Sequence, residues 1–275
     1  MDNRPIGVFD SGVGGLSVVK ELHNTLPGED IVYFGDTGRV PYGTRSRQTI
    51  VKYAAQDIRF LLSQDVKAIV AACGTVSANL TDKDVRALGV RVPYTGVVLP
   101  SVRTACALSA GGRIGVIATS ASIRSGAYGR ALRKIQPSAK LFGAACPLLV
   151  PLVENGMTCP DNQITRLVLE MYLEPLVRER IDTLILGCTH FPLLYELISD
   201  ILEYKVTLID SGAATAQHIK SVLCERDALG EKTSGGDTRY HVTDTVDGFA
   251  EVARLFLHEE IGSSTRFVDL DTLSE

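Results

Sequence analysis

The chain contains Ala68-Ile69-Val70-Ala71-Ala72-Cys73 and, in its second half, Thr183-Leu184-Ile185-Leu186-Gly187-Cys188, two apolar runs that each end in a cysteine. Each run predicts a buried strand that leads into a turn containing threonine. An open α/β sheet binds ligands beyond the carboxyl ends of its strands, so both thiols are predicted to lie at such a site. The pair suggests one thiol in each half of a duplicated fold. Two like groups facing one substrate suit a reaction whose two directions are mirror images.

Short apolar runs alternate with helical patterns along the chain, which is typical of βαβ units and predicts an α/β fold. The runs that we interpret as strands are 6–9, 31–34, 68–72, 95–98, 114–118, 183–187, 206–209 and 240–242. A helix is predicted over 246–258, and an exposed loop over 230–237 because Gly, Ser and Thr are frequent there. Two apolar stripes at helical spacing are predicted to face the core: Ile50, Val51, Ala54, Ile58, Leu61 and Leu62 in the first, and Ile164, Leu167, Val168 and Met171 in the second.

An internal repeat is suggested when residues 6–11 are compared with residues 114–119, and the two cysteine runs recur at a similar spacing. The alternative, that unrelated βαβ units simply resemble each other, stays open at this point. The stretch 208–212 is similar to 8–12 and indicates that the chain then returns to its first domain. We therefore predict two similar open parallel-sheet domains with a pseudo-twofold relation, formed by residues 1–98 plus 213–275 and by residues 99–212. The active site is expected in the cleft between them.

The composition of the 275 residues, 45% hydrophobic and 22% charged, is that of a globular protein with a sizeable core. No segment approaches the ~18 uninterrupted apolar residues of a membrane span, and the N-terminus lacks a secretory signal, so a cytoplasmic protein is predicted. A net charge of −4 argues against a nucleic-acid partner and favours a small-molecule ligand. The cysteines include no C-x-x-C pair, which predicts neither a metal site nor disulfides. Ordinary inert thiols are expected at Cys106, Cys146, Cys159 and Cys224.

A glycine-rich loop, residues 10–15, follows the first predicted strand and begins a helix. Backbone N–H groups at such a position can hold an anion, and a carboxylate is the ligand that we expect there. A dinucleotide is less well supported, because the glycines do not have G-x-G-x-x-G spacing and Asp36 matches the expected ribose-binding acid only loosely. A second loop, residues 35–43, is rich in turn formers, and Tyr42 with the Gly43 backbone could contact a ligand.

Cys188 lies two residues before His190 at the predicted start of a helix. The positive end of a helix and a neighbouring imidazole both favour a thiolate. The same helix-start argument applies to Cys73, which is followed by Gly74 and Thr75. For Glu154, two interpretations stay open: a solvated helix residue or a residue of the site.

Five motifs, taken together, resemble the glutamate racemases in that family's order and spacing, over nearly the whole chain. They are VFDSGVGGLS at 8–17, YFGDT at 33–37, VPYG at 40–43, ACGT at 72–75 and GCTHFPLL at 187–194. The resemblance implies a racemase of the aspartate/glutamate superfamily that needs no cofactor and supplies D-glutamate for bacterial peptidoglycan. It also implies a homodimer. A pyridoxal-dependent mechanism is the enzymatic alternative, although no lysine lies in a recognisable Schiff-base motif.

The resemblance also implies roles for individual residues. Cys73 and Cys188 match the two acid/base groups on opposite faces of the substrate Cα, with Cys73 removing the proton from D-glutamate and Cys188 from L-glutamate. Asp10 matches a carboxylate near the first thiol, and Glu154 and His190 match groups that assist the second. The positions implied to bind D- or L-glutamate are Asp10, Ser11, Tyr42, Gly43, Gly74, Thr75, Thr119, Ser122, Thr189 and His190.

Gly74 departs from the family pattern, in which Asn usually follows the first cysteine. The missing amide predicts weaker substrate binding, because a lost hydrogen bond costs on the order of 1 kcal/mol. Two further functions therefore stay open: a racemase for another acidic amino acid such as aspartate, and an acidic-amino-acid binding protein that has lost activity. If the amide alone is responsible, Gly74→Asn is expected to restore activity.

Overall fold

Residues 1–272 are described by a computed structural model, in which two separate parallel sheets are surrounded by helices. Residues 273–275, which belong to the predicted first domain, lie outside the described part. The strands are β1 (Ile6–Asp10), β2 (Ile31–Gly35), β3 (Ala68–Ala71), β4 (Tyr94–Gly96), β5 (Arg113–Ala118), β6 (Lys140–Ala145), β7 (Thr183–Leu186), β8 (Thr207–Asp210), β9 (Thr238–Val242) and β10 (Thr265–Phe267).

The helices connect successive strands and cover the sheets. They are α1 (Leu16–Thr25), α2 (Arg47–Ser63), α3 (Gly74–Asn79), α4 (Asp82–Ala87), α5 (Val98–Leu108), α6 (Ser120–Ser125), α7 (Ala127–Ile135), α8 (Leu149–Glu154), α9 (Gln163–Arg178), α10 (Tyr195–Ile201), α11 (Ser211–Glu225) and α12 (Val246–Leu257). Short 3₁₀ turns occur at Thr37–Arg39, Phe191–Leu194, Gly262–Ser264 and Leu270–Thr272. None of the helices within 1–272 is both long and apolar enough to cross a membrane.

The two sheets share one strand order. The first sheet runs β10-β9-β2-β1-β3-β4 and the second runs β6-β5-β7-β8, with every pair parallel. If β1 is matched with β5, then β2, β3 and β4 match β6, β7 and β8. The internal repeat suggested by the sequence is therefore present in the topology, and β9 and β10 extend the first copy.

Both faces of the first sheet are buried, which explains why its strands are continuous apolar runs. Ile6 and Val8 point into the core that contains α1, whereas Phe9 points into the core beneath α2. The predicted α2 stripe is confirmed, since Ile50 and Leu61 are fully buried. Because parallel strands end at one edge of their sheet, the residues that follow β1 and β3 are brought together there, as are those that follow β5 and β7.

The predicted stripe on α9 is wrong for three of its four residues, whereas Val168 is partly buried and packs against the core. Ile164, Leu167 and Met171 are 58%, 66% and 55% exposed, and the buried face of this helix is formed by Thr165, Leu169, Leu173 and Leu176. The helix is apolar on two faces, and spacing alone selected the face that solvent covers.

The chain returns to the first sheet through residues 228–237, as the similarity between 208–212 and 8–12 indicated. This segment is mostly exposed, as predicted, and it is attached to the turn before β2. Glu29 accepts a hydrogen bond from Gly230 N–H at 2.8 Å and pairs with the buried Lys67 at 2.5 Å. The exact domain boundaries proposed above, at 98/99 and 212/213, stay a prediction.

Candidate active site

Cys73 and Cys188 follow β3 and β7, which are equivalent strands of the two sheets. Both thiols are buried, at 5% and 7% exposure. Burial raises the pKa of Cys73 to about 12, and negative charge on Asp10 and on Cys188 adds to this shift. Cys73 is consequently a neutral thiol at neutral pH, contrary to the thiolate expected from its helix start. A Cβ on Gly74, the residue next to Cys73, would lie 3.8 Å from Cys188 Cα, so the two cysteines lie close to each other across the cleft between the domains.

The wall around Cys73 is built from the loop after β1. Ser11 Oγ lies 3.4 Å from Cys73 Sγ. Asp10 is buried, and its Oδ2 accepts a hydrogen bond from Gly12 N–H at 3.0 Å. Within residues 1–272, Asp10 Oδ1 has no hydrogen-bond partner. Burial raises the pKa of this carboxyl group, while the positive charge of His190 opposes the shift. Such an unsatisfied buried oxygen is suited to receive a donor group from a ligand.

The wall around Cys188 contains a histidine held between a thiol and a carboxylate. His190 Nδ1 lies 3.7 Å from Cys188 Sγ, and His190 Nε2 lies 2.9 Å from Glu154 Oε1. Burial alone would lower the pKa of His190, but the hydrogen bonds to Cys188 and Glu154 outweigh it and raise the pKa to about 10. An imidazolium therefore faces this sulfur at neutral pH and stabilises negative charge on it. Glu154, left open by the sequence, contacts the site through His190.

Glycines in the loop after β1 allow the residues around Cys73 and those around Cys188 to lie close together. A Cβ on Gly14 would overlap Thr189 Oγ1 and would lie 2.5 Å from His190 Nδ1. A Cβ on Gly15 would lie 2.6 Å from Asp10 Cβ. The absence of these side chains lets the second domain place Thr189 and His190 against the first domain. This structural reason for the glycines could not be deduced from their spacing.

The first N–H groups of α1 are already paired, whereas the anion site predicted from the backbone N–H groups of residues 10–15 stays a prediction. The N–H groups of Leu16, Ser17 and Val18 donate to the carbonyl groups of residues 13, 14 and 15 at 3.0–3.1 Å. They are therefore unavailable to a carboxylate. The helix tightens into its own preceding loop, which satisfies amides that would otherwise be free.

Three predicted substrate-binding hydroxyls form a chain that crosses the cleft. Thr75 Oγ1 lies 2.9 Å from Thr119 Oγ1, which in turn lies 2.9 Å from Ser122 Oγ. Beside them, the Ala121 N–H donates to the Gly43 carbonyl at 3.0 Å. Thr75 and Gly43 follow strands of the first sheet, whereas the other residues follow β5. These hydrogen bonds join the two domains at the edge where the thiols lie.

Tyr42 is fully buried, and its hydroxyl group does not take part in this chain. The hydroxyl donates to Asp36 Oδ2 and lies 3.3 Å from Asp57 Oδ2. Arg39 bonds both carboxylates, at 2.6 Å to Asp36 and 3.1 Å to Asp57. Thr243 Oγ1 also donates to Asp36, at 2.9 Å. A ligand contact by Tyr42, as predicted, is thus open to its backbone alone, and Asp36 is not available to a ribose.

Two residues near the site gave no recognisable signal in the sequence. The Phe256 ring of α12 contacts the His190 ring edge to face, with centroids 5.5 Å apart. The Tyr128 hydroxyl, on α7, donates to the Gly187 carbonyl at 3.4 Å. Asp57 was also missed, although it shares the apolar face of α2 with Ile50, Ala54 and Leu61. A carboxylate inside such a stripe is the signal that could have found it.

Gly74, the position that departs from the family pattern, lies where the two domains come closest to the thiols. A Cβ on this residue would overlap the Gly187 carbonyl oxygen and would lie 3.3 Å from the carbonyl carbon and 3.8 Å from Cys188 Cα. The space that the missing asparagine would need is therefore filled by backbone of the second domain.

The Asp/Glu/hydantoin racemase family model matches residues 6–219. A glutamate racemase of Geobacter metallireducens is 42% identical over 94% of both chains. This chain belongs to the glutamate racemases of that family. Among solved structures, the glutamate racemase of Francisella tularensis in complex with D-glutamate is 41% identical, with a TM-score of 0.90 over 99% of this chain and 100% of that one. A Bacillus anthracis glutamate racemase isoform is 36% identical, with a TM-score of 0.92 over 98% and 99%. The two-sheet architecture predicted for this family member is confirmed by these glutamate racemase structures.

Proposed function

We propose that this protein interconverts L- and D-glutamate with Cys73 and Cys188 as the acid/base pair. The observation that carries the proposal is the placement of one buried thiol after each of two equivalent strands, facing one cleft. Inverting a carbon centre requires proton removal from one face and delivery to the other, which two opposed groups can do. The glutamate racemase relatives and the D-glutamate complex of the Francisella tularensis protein support glutamate as the substrate.

In this mechanism Cys188, as thiolate, removes the Cα proton of L-glutamate while Cys73 supplies a proton to the opposite face. The reverse reaction exchanges the two roles. His190 stabilises the Cys188 thiolate and is held by Glu154. Asp10 lies on the Cys73 side, where its unpaired oxygen can accept a hydrogen bond from the substrate ammonium group. The hydroxyls of Ser11, Thr75, Thr119, Ser122 and Thr189 and the backbone at 42–43 bind the polar groups of the substrate.

Further parts of the proposal follow from family membership. The enzyme uses no cofactor, acts in the cytoplasm, supplies D-glutamate for peptidoglycan and forms a homodimer. An absorbance spectrum of the purified protein tests the first of these, because a bound pyridoxal group absorbs in the visible range.

The decisive experiment measures racemisation of each glutamate enantiomer by circular dichroism, together with Cα–H exchange in D₂O. We expect Cys73→Ser to slow the Cα–H exchange of D-glutamate more than that of L-glutamate. We expect Cys188→Ser to slow the exchange of L-glutamate more than that of D-glutamate. Cys159→Ser, at an exposed thiol, is the control. Equal effects of both variants on both enantiomers would show that the face assignment is wrong. If the protein turns over aspartate faster than glutamate, aspartate replaces glutamate as the proposed substrate.

The alternative function is a binding protein for acidic amino acids that has lost activity through Gly74. Its distinguishing result is tight glutamate binding in calorimetry with no change of optical rotation over time. The glycine itself is the observation that favours it, because the family usually has a side-chain amide there.

A further inference from the structure

We propose that Gly74 sets the width of the closed cleft, and hence the separation of the two thiols, by letting the Gly187 carbonyl reach the turn that follows Cys73. The inference rests on the proposed function for its kinetic part only. It differs from the expectation that Gly74 merely lacks a binding group. In the width interpretation, any side chain at this position is harmful, whether or not it carries an amide.

The first step of the argument is steric. Gly74 is the first residue of α3 and directly follows Cys73, while Gly187 directly precedes Cys188. A Cβ on Gly74 would overlap the Gly187 oxygen, which is backbone and cannot rotate away as a flexible side chain could. Gly187 is itself confined, because a Cβ there would lie 2.8 Å from the Ile117 carbonyl oxygen. Neither strand end can therefore yield locally.

The second step concerns what must move. The Gly187 carbonyl accepts a hydrogen bond from the Tyr128 hydroxyl at 3.4 Å, and the Gly187 N–H donates to the Ile117 carbonyl at 2.8 Å. Since β7 lies inside the second sheet, the contact is relieved by displacing one domain relative to the other. The hydroxyl contact between Thr75 and Thr119, which crosses the same cleft, would lengthen with it.

The third step connects width to chemistry. In racemisation one thiolate takes the Cα proton, and the thiol on the other face gives its proton to the carbanion. If the cleft widens, the second transfer fails more often. The carbanion then takes a proton back from the thiol that removed it. In D₂O that thiol exchanges with solvent, so substrate gains deuterium with its configuration retained.

The test uses Gly74→Ala and Gly74→Asn, with Gly129→Ala as the matched control. Gly129 lies inside helix α7, where a Cβ would make ordinary contacts at 3.4 Å and beyond. We expect both Gly74 variants to lower the racemisation rate by about a hundredfold, the effect of a displacement of roughly 1 Å in an active site. Exchange with retention should fall much less, so its ratio to inversion should rise. Gly129→Ala should match the parent protein.

A gain of racemisation in Gly74→Asn, with Gly74→Ala unchanged, would overturn the proposal in favour of a missing amide. An unaltered ratio of exchange to inversion in Gly74→Ala would overturn it as well. Gly74→Ala adds a single methyl group, so it carries the test if the asparagine variant does not fold.

A second measurement does not depend on activity. Iodoacetamide labelling of Cys73 and Cys188, followed by peptide mass spectrometry, reports how open the cleft is. We expect faster labelling of both thiols in Gly74→Ala, with the exposed Cys159 and Cys224 as internal references. Unchanged labelling contradicts the proposal. If the parent protein does not racemise glutamate, the proposed function fails while this measurement still decides the role of Gly74.

Discussion

The two thiols differ in charge environment although they occupy equivalent strand ends. Cys73 is buried and lies near the carboxylate of Asp10. Both effects raise its pKa and keep the thiol protonated. Cys188 lies beside the His190 imidazolium. In the proposed mechanism the neutral Cys73 thiol is the acid that completes D-glutamate, and the positive charge of His190 stabilises Cys188 whenever that sulfur carries negative charge.

Glu154→Gln tests the part played by the carboxylate behind His190. Glutamine keeps the shape of the side chain but removes a charge that raises the pKa of His190, so this pKa should fall below about 10. Since the imidazolium is the required form, activity toward L-glutamate should decline at lower pH than in the parent. The measurement is kcat between pH 7 and 10.5, with the exposed Glu170→Gln as the control. If kcat declines at the same alkaline pH in the parent protein and in Glu154→Gln, Glu154 does not have this role.

Residue types and spacing were enough to place both thiols at strand ends, because each follows an apolar run, and to place His190 two residues after Cys188, whereas the role of Asp10 was implied by the family resemblance. The partnership of His190 with Glu154 was not predictable. It joins α8 to the end of β7 through a hydrogen bond of 2.9 Å, and only tertiary packing brings those segments together. The same applies to Gly14, whose importance depends on atoms of Thr189 and His190 in the other domain.

At the scale of elements, the loop from β2 to α2 is fixed by a buried network rather than by regular structure. Asp36, Arg39, Tyr42 and Asp57 bond one another there, and this network places the Gly43 carbonyl against α6. Burial raises the pKa of Asp57 well above its usual range, and the neighbouring Asp36 adds to the shift. A protonated carboxyl group in this pair reduces the repulsion between them.

Tyr42→Phe should therefore weaken both stability and binding. It removes the hydroxyl that bridges two buried carboxyl groups, and unsatisfied buried groups cost about 1–3 kcal/mol. We expect a corresponding loss in the free energy of unfolding by urea, and a rise in KM that exceeds the fall in kcat because the Gly43 loop loosens. Tyr195→Phe, at a partly exposed ring, should change neither quantity. Unaltered stability in Tyr42→Phe would mean that the hydroxyl contributes nothing.

The central strands were predictable because both of their faces are buried, so apolar residues are continuous. Two edge strands, β6 and β10, were not, although the edge strands β4 and β8 were predicted as 95–98 and 206–209. β6 contains a glycine and three alanine or lysine residues and is mostly half-buried or exposed, and β10 has only three residues. Both look like loops in sequence, since an edge strand needs less apolar surface. The buried face of α9 was mispredicted for the opposite reason, because this helix has more apolar residues than one core can bury.

At the scale of the molecule, this exposed α9 stripe is the surface that we assign to self-association in the proposed homodimer. Ile164, Leu167 and Met171 lie on one face, and Leu148, 48% exposed, adjoins it through the hydrogen bond from its N–H to Tyr172. Several large apolar side chains exposed on one helix face are a reason to expect an interface there.

Leu167→Glu should convert a dimer to a monomer, because it places a charge in the centre of that stripe. Size-exclusion chromatography with light scattering measures the mass directly. Leu108→Glu, at a leucine exposed elsewhere, is the matched control and should leave the mass unchanged. A dimer that persists in Leu167→Glu would show that the copies meet through another surface.

Glu29→Ala tests the attachment of the returning chain. Glu29 neutralises the buried Lys67 and also accepts the Gly230 N–H, so its removal leaves a buried charge without its counterion. Breaking a buried ion pair from one side costs about 3–5 kcal/mol, which should appear as a lower urea midpoint with an unchanged slope. Replacing the exposed Glu231 by Ala should have no such effect. A midpoint equal to that of the parent would contradict the assigned role of Glu29.

The contact between Phe256 and His190 has a consequence for synthesis on the ribosome. Both cysteines are translated well before α12, yet the ring that contacts the histidine belongs to α12, and the strands on either side of this helix, β9 and β10, complete the first sheet. A nascent polypeptide that ends before α12 therefore lacks the ring that packs against His190. We therefore expect the packing around this imidazole to be complete only once the carboxyl-terminal segment has been synthesised and has docked.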